Sequence, residues 1–278
     1  MTYPSVCITT VARTVRLTAR AARMICATLI CVASWVLPRV VVAQDNTEIQ
    51  VYGSETVAAG RTMLELHSNF TDHGRSTAQD GVEPTLHAMH ETVEITHGFT
   101  PWFEVGFYTF TTIQPGGKFE YVGNHIRPRF RVPESWGLPV GLSLSQEIGY
   151  ARSNFSADTW SWEIRPIIDQ TLGRFYWSVN PALERSLQGP GTANGFEFAP
   201  AAKVSYDVTR RVTGGLEYYG AMGDVRRIDP AHAQSHELYP AIDLNLGPDW
   251  EVNFGVSVPL SKGVTDRRVI KLITGHRF

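Results

Sequence analysis

The sequence predicts an all-β chain, a transmembrane antiparallel up-and-down β-barrel of about 12 strands. Segments of about ten residues with strict apolar–polar alternation recur from residue 62 to the end. An arginine-rich leader with a short apolar run precedes them. Beyond that leader no stretch holds 18 consecutive apolar residues, which excludes a helical membrane span.

Residues 1–43 read as a signal peptide. They carry Arg13, Arg16, Arg20 and Arg23 without an acidic residue, then an apolar run from Met24 to Val36. That run is shorter than the roughly 20 residues a spanning helix needs, and Val41-Val42-Ala43 offers the small side chains a signal peptidase reads. Cys7, Cys26 and Cys31 all lie in the leader, so the processed chain has no cysteine for disulfides or thiolate metal sites. Removing the five leader arginines (Arg39 is the fifth) leaves 20 basic against 27 acidic residues. A formal charge of −7 argues against nucleic acid as a partner. Residues 44–61 are expected to form a periplasmic N-terminal segment or an inward plug, with the periplasmic tail the simpler reading. The barrel itself covers 62–278.

The alternating segments are 62–70, 86–97, 102–113, 121–132, 140–151, 160–170, 175–186, 196–207, 212–222, 237–246, 250–260 and 268–278. Each has about the length of a tilted strand crossing the hydrocarbon layer. Trp250, Val252, Phe254, Val256 and Val258 share one face, opposite Glu251, Asn253, Gly255 and Ser257. Leu142, Leu144 and Ile148 likewise oppose Ser143, Ser145 and Glu147. A soluble sandwich gives the same period with its faces exchanged, so loops and aromatics decide. Long connections (71–85, 114–120, 152–159, 187–195, 223–236, 261–267) alternate with short ones (98–101, 171–174, 208–211, 247–249) and one of intermediate length (133–139). Long loops on one rim and tight turns on the other are the outer-membrane pattern, with both termini periplasmic. Trp102, Tyr176, Trp177, Tyr206 and Trp250 fall near the short turns; Tyr121, Tyr150, Trp160, Trp162, Tyr218, Tyr219 and Tyr239 fall near the long loops. Two heights of amphipathic rings suit two interfacial girdles. Pro128, Pro166, Pro181, Pro200 and Pro240 lie inside strands, where bulges would account for them.

The chain ends Gly275-His276-Arg277-Phe278. This resembles the terminal strand signal of bacterial outer-membrane barrels, with Phe278 last and His276 in the place usually held by an aromatic. With Asn180-Pro181-Ala182-Leu183, it also resembles barrels assigned to outer-membrane transport, including a family associated with phenol degradation. That resemblance implies passage of small solutes without an energy source. It also implies, as partners, outer-membrane lipid and the insertion machinery that reads His276 and Phe278.

Little in the sequence carries catalysis. His67-Ser68-Asn69 superficially resembles the motif of an outer-membrane phospholipase family, but neighbouring strand residues point to opposite faces, and no Gly-Arg follows. No catalytic residue, metal site or cofactor is expected. His87, His90 and His97 cluster with Glu91 and Glu94, yet His87 and His97 would lie about 30 Å apart at ~3.3 Å per residue. The lumen is more informative. Arg127, Arg129 and Arg131 share one face, with Glu104 expected beside Arg131 and Glu147 beside Arg127; Glu163, Arg165 and Asp169 share another. These charges suit either a salt-bridged wall or a constriction that selects solutes. The expected function is a passive channel or transporter for small solutes. The alternatives are a sealed structural or adhesive barrel and, behind it, a lipid hydrolase.

Cleavage after Ala43 is directly testable. Sequencing the N-terminus of chain recovered from the membrane fraction is expected to give Gln44 first, whereas an intact leader in the cytosol would remove the export reading.

Overall fold

The computed structural model describes residues 46–278; the leader and its cleavage site lie outside the described residues. The described chain is a closed antiparallel barrel. Its strands are β1 (Thr62–His73), β2 (Met89–Thr100), β3 (Phe103–Gln114), β4 (Lys118–Arg131), β5 (Gly141–Ala151), β6 (Trp160–Leu172) and β7 (Phe175–Gln188). There follow β8 (Glu197–Asp207), β9 (Val212–Ala221), β10 (Ser235–Leu244), β11 (Trp250–Val256), β12 (Val258–Pro259) and β13 (Arg268–Arg277). β11 and β12 are two pieces of one stave, both paired to β10, so the barrel has the expected 12 staves. Each strand pairs with its sequence neighbour, and β13 closes onto β1 from Met63↔Arg277 to Phe70↔Ile270. The seam extends one residue further, because Thr62 and Phe278 exchange both backbone hydrogen bonds at 2.9 Å.

Burial shows which way the alternation faces. On β1 the buried residues include Glu65, His67 and Asn69, while Leu64 and Leu66 are exposed. β2 repeats this with Thr92 and Glu94 inside and Val93 and Ile95 outside; β11 does so with Asn253 inside and Phe254 outside. Polar side chains buried and apolar ones exposed is the inverse of a soluble fold, and it is stable only where the outer surface meets hydrocarbon.

Several expectations change. The connection expected to be long at 114–120 is a tight turn: Gln114 pairs with Lys118, and Gly116 and Gly117 adopt φ of 91° and 85°. Only glycine accepts two successive positive φ values without strain, so Pro115-Gly116-Gly117 turns the chain at once. The next connection, on the short-turn rim, is longer and carries a 3-10 turn at Glu134–Trp136. Tyr219 and Tyr239 do not join a girdle; both face inward and are about 1% exposed. Tyr176 also turns inward, donating to Asp169 at 3.0 Å.

The prolines do not mark bulges. Register shifts fall at Thr71/His73, Gly98/Thr100, Phe110/Thr111 and Trp160/Ser161, away from all five. Pro181 pairs with Pro200, and the β6–β7 ladder skips from Ile164↔Leu183 to Ile168↔Val179, which sets Pro166 opposite Pro181 with no change of offset. Flanked by buried Arg165 and Ile167, Asn180 and Ala182, and Ala201, these three rings lie side by side on the outer face. They interrupt hydrogen bonding without moving the register.

Because the closing seam must leave no edge facing lipid, deletion of Phe278 removes a backbone pair at its end. Heat-modifiable gel migration is expected to show a smaller assembled fraction for the deletion than for the intact chain. Equal assembly would show that the terminal pair is dispensable.

Candidate functional site

The candidate site is the barrel interior. Alternation on β3 and β4 turns Glu104, Arg127 and Arg129 inward, all buried. Glu104 and Arg129 are direct cross-strand partners, and Glu104 Oε1 lies 2.5 Å from Arg129 Nη2 and 3.7 Å from Arg127 Nη2. Arg127 stands opposite Gly106, where the missing side chain opens a path across β3. A Cβ on Gly106 would come within 3.2 Å of Arg127 Nη2. Through that gap Arg127 reaches Glu94 of β2 at 2.5 Å.

These contacts correct two expected pairings. Arg131 pairs with Glu134 at 2.8 Å, near the rim, rather than with Glu104. Glu147 forms an ion pair with His125 rather than with Arg127. The cause is register: the partner of Glu104 is Arg129, one inward pair away from Arg131. Arg165 is held by Glu163 two residues earlier on the same strand, through Nε and Nη2 at 2.6 Å each. Every arginine expected to line the lumen is therefore matched to a carboxylate.

A second charged cluster was not among the sequence candidates. Lys271 of β13 forms an ion pair with Glu217 of β9, and Lys203 bridges Glu217 at 3.4 Å and Asp243 at 2.8 Å. Alternation assigns Lys271, Lys203 and Glu217 to inward faces, so their lining role was available from the pattern. Their mutual pairing from strand to strand was not.

Residues 46–60 run along the inner wall from one rim to the other. At the long-loop rim Asn46 bonds Asp266, and its carbonyl accepts from Asn69 Nδ2 at 2.8 Å. At the short-turn rim the N–H of Gly60 donates to the carbonyl of Gly98 at 2.7 Å. Between them, Lys271 donates to the carbonyl of Ile49 at 3.1 Å and Arg129 to that of Gly53 at 3.2 Å. Ser54 Oγ donates to Asp169 at 2.6 Å, and the Val57 N–H donates to Glu104 at 2.6 Å. Glycine makes room for the segment: a Cβ on Gly98 would sit 2.1 Å from the carbonyl oxygen of Val57.

Tyr52 is the segment's most heavily held residue. Its N–H donates to Asn180 at 2.8 Å, and its carbonyl accepts from Ser178 at 2.6 Å and Asn180 at 3.0 Å. Its hydroxyl donates to Glu48 and meets the Tyr108 hydroxyl at 3.2 Å. The guanidinium carbons of Arg127, Arg165 and Arg129 lie 4.7, 5.0 and 5.7 Å from its ring centroid, all within cation–π range. Asn180, met in the sequence as part of Asn-Pro-Ala-Leu, is thus a clamp on the segment's backbone.

At the long-loop rim Asp224 accepts the N–H groups of Arg226 at 2.8 Å and Gly195 at 3.1 Å. These bonds, chiefly that of Arg226, hold its carboxyl below the usual range and tie loop 222–234 to loop 189–196. At the opposite rim His276 packs edge-on against Trp250 at 4.6 Å and stacks with Phe278 at 6.5 Å. His67 and Ser68 point to opposite faces of β1: His67 is fully buried, and Ser68 bonds Glu91 at 2.7 Å.

No protein-family model matches the chain, and no curated protein sequence matches it. Among solved structures, the fold is similar to a KdgM porin at 9% identity, covering 78% of this chain and 98% of that one, with a TM-score of 0.47. A NanC porin gives 8% identity over 76% and 97%, with a TM-score of 0.47. Omp33 of Acinetobacter baumannii gives 11% identity over 82% and 100%, with a TM-score of 0.42.

Glu104 binds Arg129, lies near Arg127 and accepts from Val57, so it joins wall and segment. Leaving buried guanidinium groups without their partner typically costs about 3–5 kcal/mol. Glu104→Ala is expected to lower the thermal unfolding midpoint, whereas Glu134→Ala, which strips only the exposed partner of Arg131, is expected to leave it nearly unchanged. Circular dichroism on detergent-folded protein measures both.

Proposed function

We propose that this chain is an outer-membrane barrel that passes small solutes by diffusion through a lumen narrowed by residues 46–60. The observation that carries this reading is the inverted burial: a closed sheet with an apolar exterior and a charged, hydrogen-bonded interior. Outer-membrane lipid covers the exterior, and the insertion machinery takes hold of the strand ending at Phe278.

The sign of the lumen sharpens the proposal. Among the described residues, eight buried carboxylates stand against four buried cations: Arg127, Arg129, Arg165 and Lys271. Since those four cations are all paired, they offer little free positive charge to an anion, and the preferred solutes are neutral or cationic. This reverses the anion preference that three stacked arginines suggest on their own. An unpaired carboxylate about 8 Å from a passing ion is worth on the order of 2 kcal/mol at an effective dielectric near 20, before screening over a Debye length of ~8 Å at physiological salt.

A sealed structural barrel is the second reading. The segment's many bonds to the wall favour it. Planar-bilayer recording separates the two. The intact chain is expected to give small cation-selective currents, and removal of residues 46–58 is expected to raise conductance severalfold, with selectivity fading at high salt. Silence from both forms would establish the sealed reading.

A further inference from the structure

One cluster of buried side chains keeps several polar atoms without a hydrogen bond among the described residues. Glu65 and His67 project inward from β1, two residues apart, and Glu94 projects inward from β2. The register sets Glu65 directly opposite Glu94. Directly opposed like charges destabilise a sheet, and here both carboxylates are buried along with the imidazole. Glu65 Oε1, Glu94 Oε2 and both ring nitrogens of His67 make no hydrogen bond. His67 Nε2 lies 3.6 Å from Glu94 Oε2, too far for one.

Arg127 balances Glu94, but among the described residues no cation pairs with Glu65. Arg127 engages Glu94 through Oε1 only, and Thr96 Oγ1 donates to that same oxygen at 2.6 Å. Those two bonds fix the carboxylate so that Oε2 is left facing His67. Arg129 is committed to Glu104. Across the other edge of β1, the partner of Glu65 is Gly275, which brings no side chain to the site. The cluster is thus a preoriented set of one nitrogen and two oxygen donors in which Glu94 is balanced by Arg127 and Glu65 makes no ion pair among the described residues.

We propose that Glu65, His67 and Glu94 bind a divalent first-row metal cation of the Zn²⁺ class. One ligand atom from each residue lies within 4.8 Å of the other two. Tetrahedral coordination with ~2.0–2.1 Å bonds places ligands about 3.3 Å apart, a contraction that side-chain rotation supplies without moving the strands. The mixed imidazole–carboxylate set suits Zn²⁺, Co²⁺ or Mn²⁺ better than the all-oxygen shells of Ca²⁺ or Mg²⁺. Arg127 and Thr96 then act as outer-shell partners that orient Glu94. The sequence hid this site because its histidines were weighed along one strand, while the donors come from two. The site does not depend on whether the lumen conducts.

The test uses the untagged full-length chain, processed and folded in detergent, stripped with chelator and then supplied with Zn²⁺ or Co²⁺. One tightly held ion per chain is expected by elemental analysis, with Co²⁺ giving the intense visible bands of a tetrahedral site. Zn²⁺ is expected to raise the melting temperature, and Ca²⁺ to leave it unchanged. His67→Gln and Glu65→Gln are expected to weaken Zn²⁺ by at least the roughly 10- to 100-fold loss that follows disturbance of outer-shell partners alone. His125→Gln, at the separate His125–Glu147 pair, is expected to keep the bound ion. Glu65→Gln also relieves the opposed carboxylates, so without metal it is expected to melt above the stripped wild type, which keeps the test decisive if His67→Gln fails to fold. Absence of tight Zn²⁺ in the wild type, or its retention in Glu65→Gln, would overturn the proposal.

Discussion

Hydrocarbon offers a backbone no hydrogen-bond partner, and the closure of β13 onto β1 is the step on which the remaining architecture depends. Once the sheet is shut, alternation leaves each strand one outward and one inward set, and the inward set must satisfy itself. That is why the interior holds salt bridges rather than scattered charges, and why a piece of main chain is welcome there. The carbonyls of residues 46–60 accept from Arg129, Asn180, Ser178 and Lys271, inward donors of the barrel wall.

Arg127 shows how one missing side chain organises this interior. Opposite Gly106, it crosses a strand to reach Glu94, nears Glu104 and lies over Tyr52. Wall and segment are therefore held by the same guanidinium. Among the described residues, the Glu65–Glu94 pair is distinctive because it combines direct opposition with oxygens that make no hydrogen bond.

Much of the fold was legible in the sequence for a simple reason. Alternation over about ten residues fixes both the existence of a strand and the face each residue takes, so all 12 staves and the inward placement of Glu104, Arg127, Arg129, Glu147 and Arg165 could be read directly. Partners could not. Pairing depends on register, which alternation leaves free by steps of two, and Glu104 accordingly meets Arg129 instead of Arg131. Tyr219 and Tyr239 were misplaced because height was considered without face. Pro115-Gly116-Gly117 carried its turn signal openly but was absorbed into a longer loop. Residues 46–60 have no periodicity at all, since their environment is set by other strands and not by their own order. The same limit hid the cluster of Glu65, His67 and Glu94.

The three outer prolines have a mechanical consequence. In a closed barrel the ladder hydrogen bonds act as hoops that resist any change of girth. Pro166, Pro181 and Pro200 remove amide donors from three adjacent staves, and the β6–β7 ladder loses its rungs between Ile164↔Leu183 and Ile168↔Val179. Since the offset is the same on both sides of the gap, this sector keeps its alignment while losing hoop tension. The cylinder therefore has a soft flank. Asn180, which clamps the segment, stands beside Pro181 on the same stave, so the softened wall and the grip on Tyr52 meet at one place.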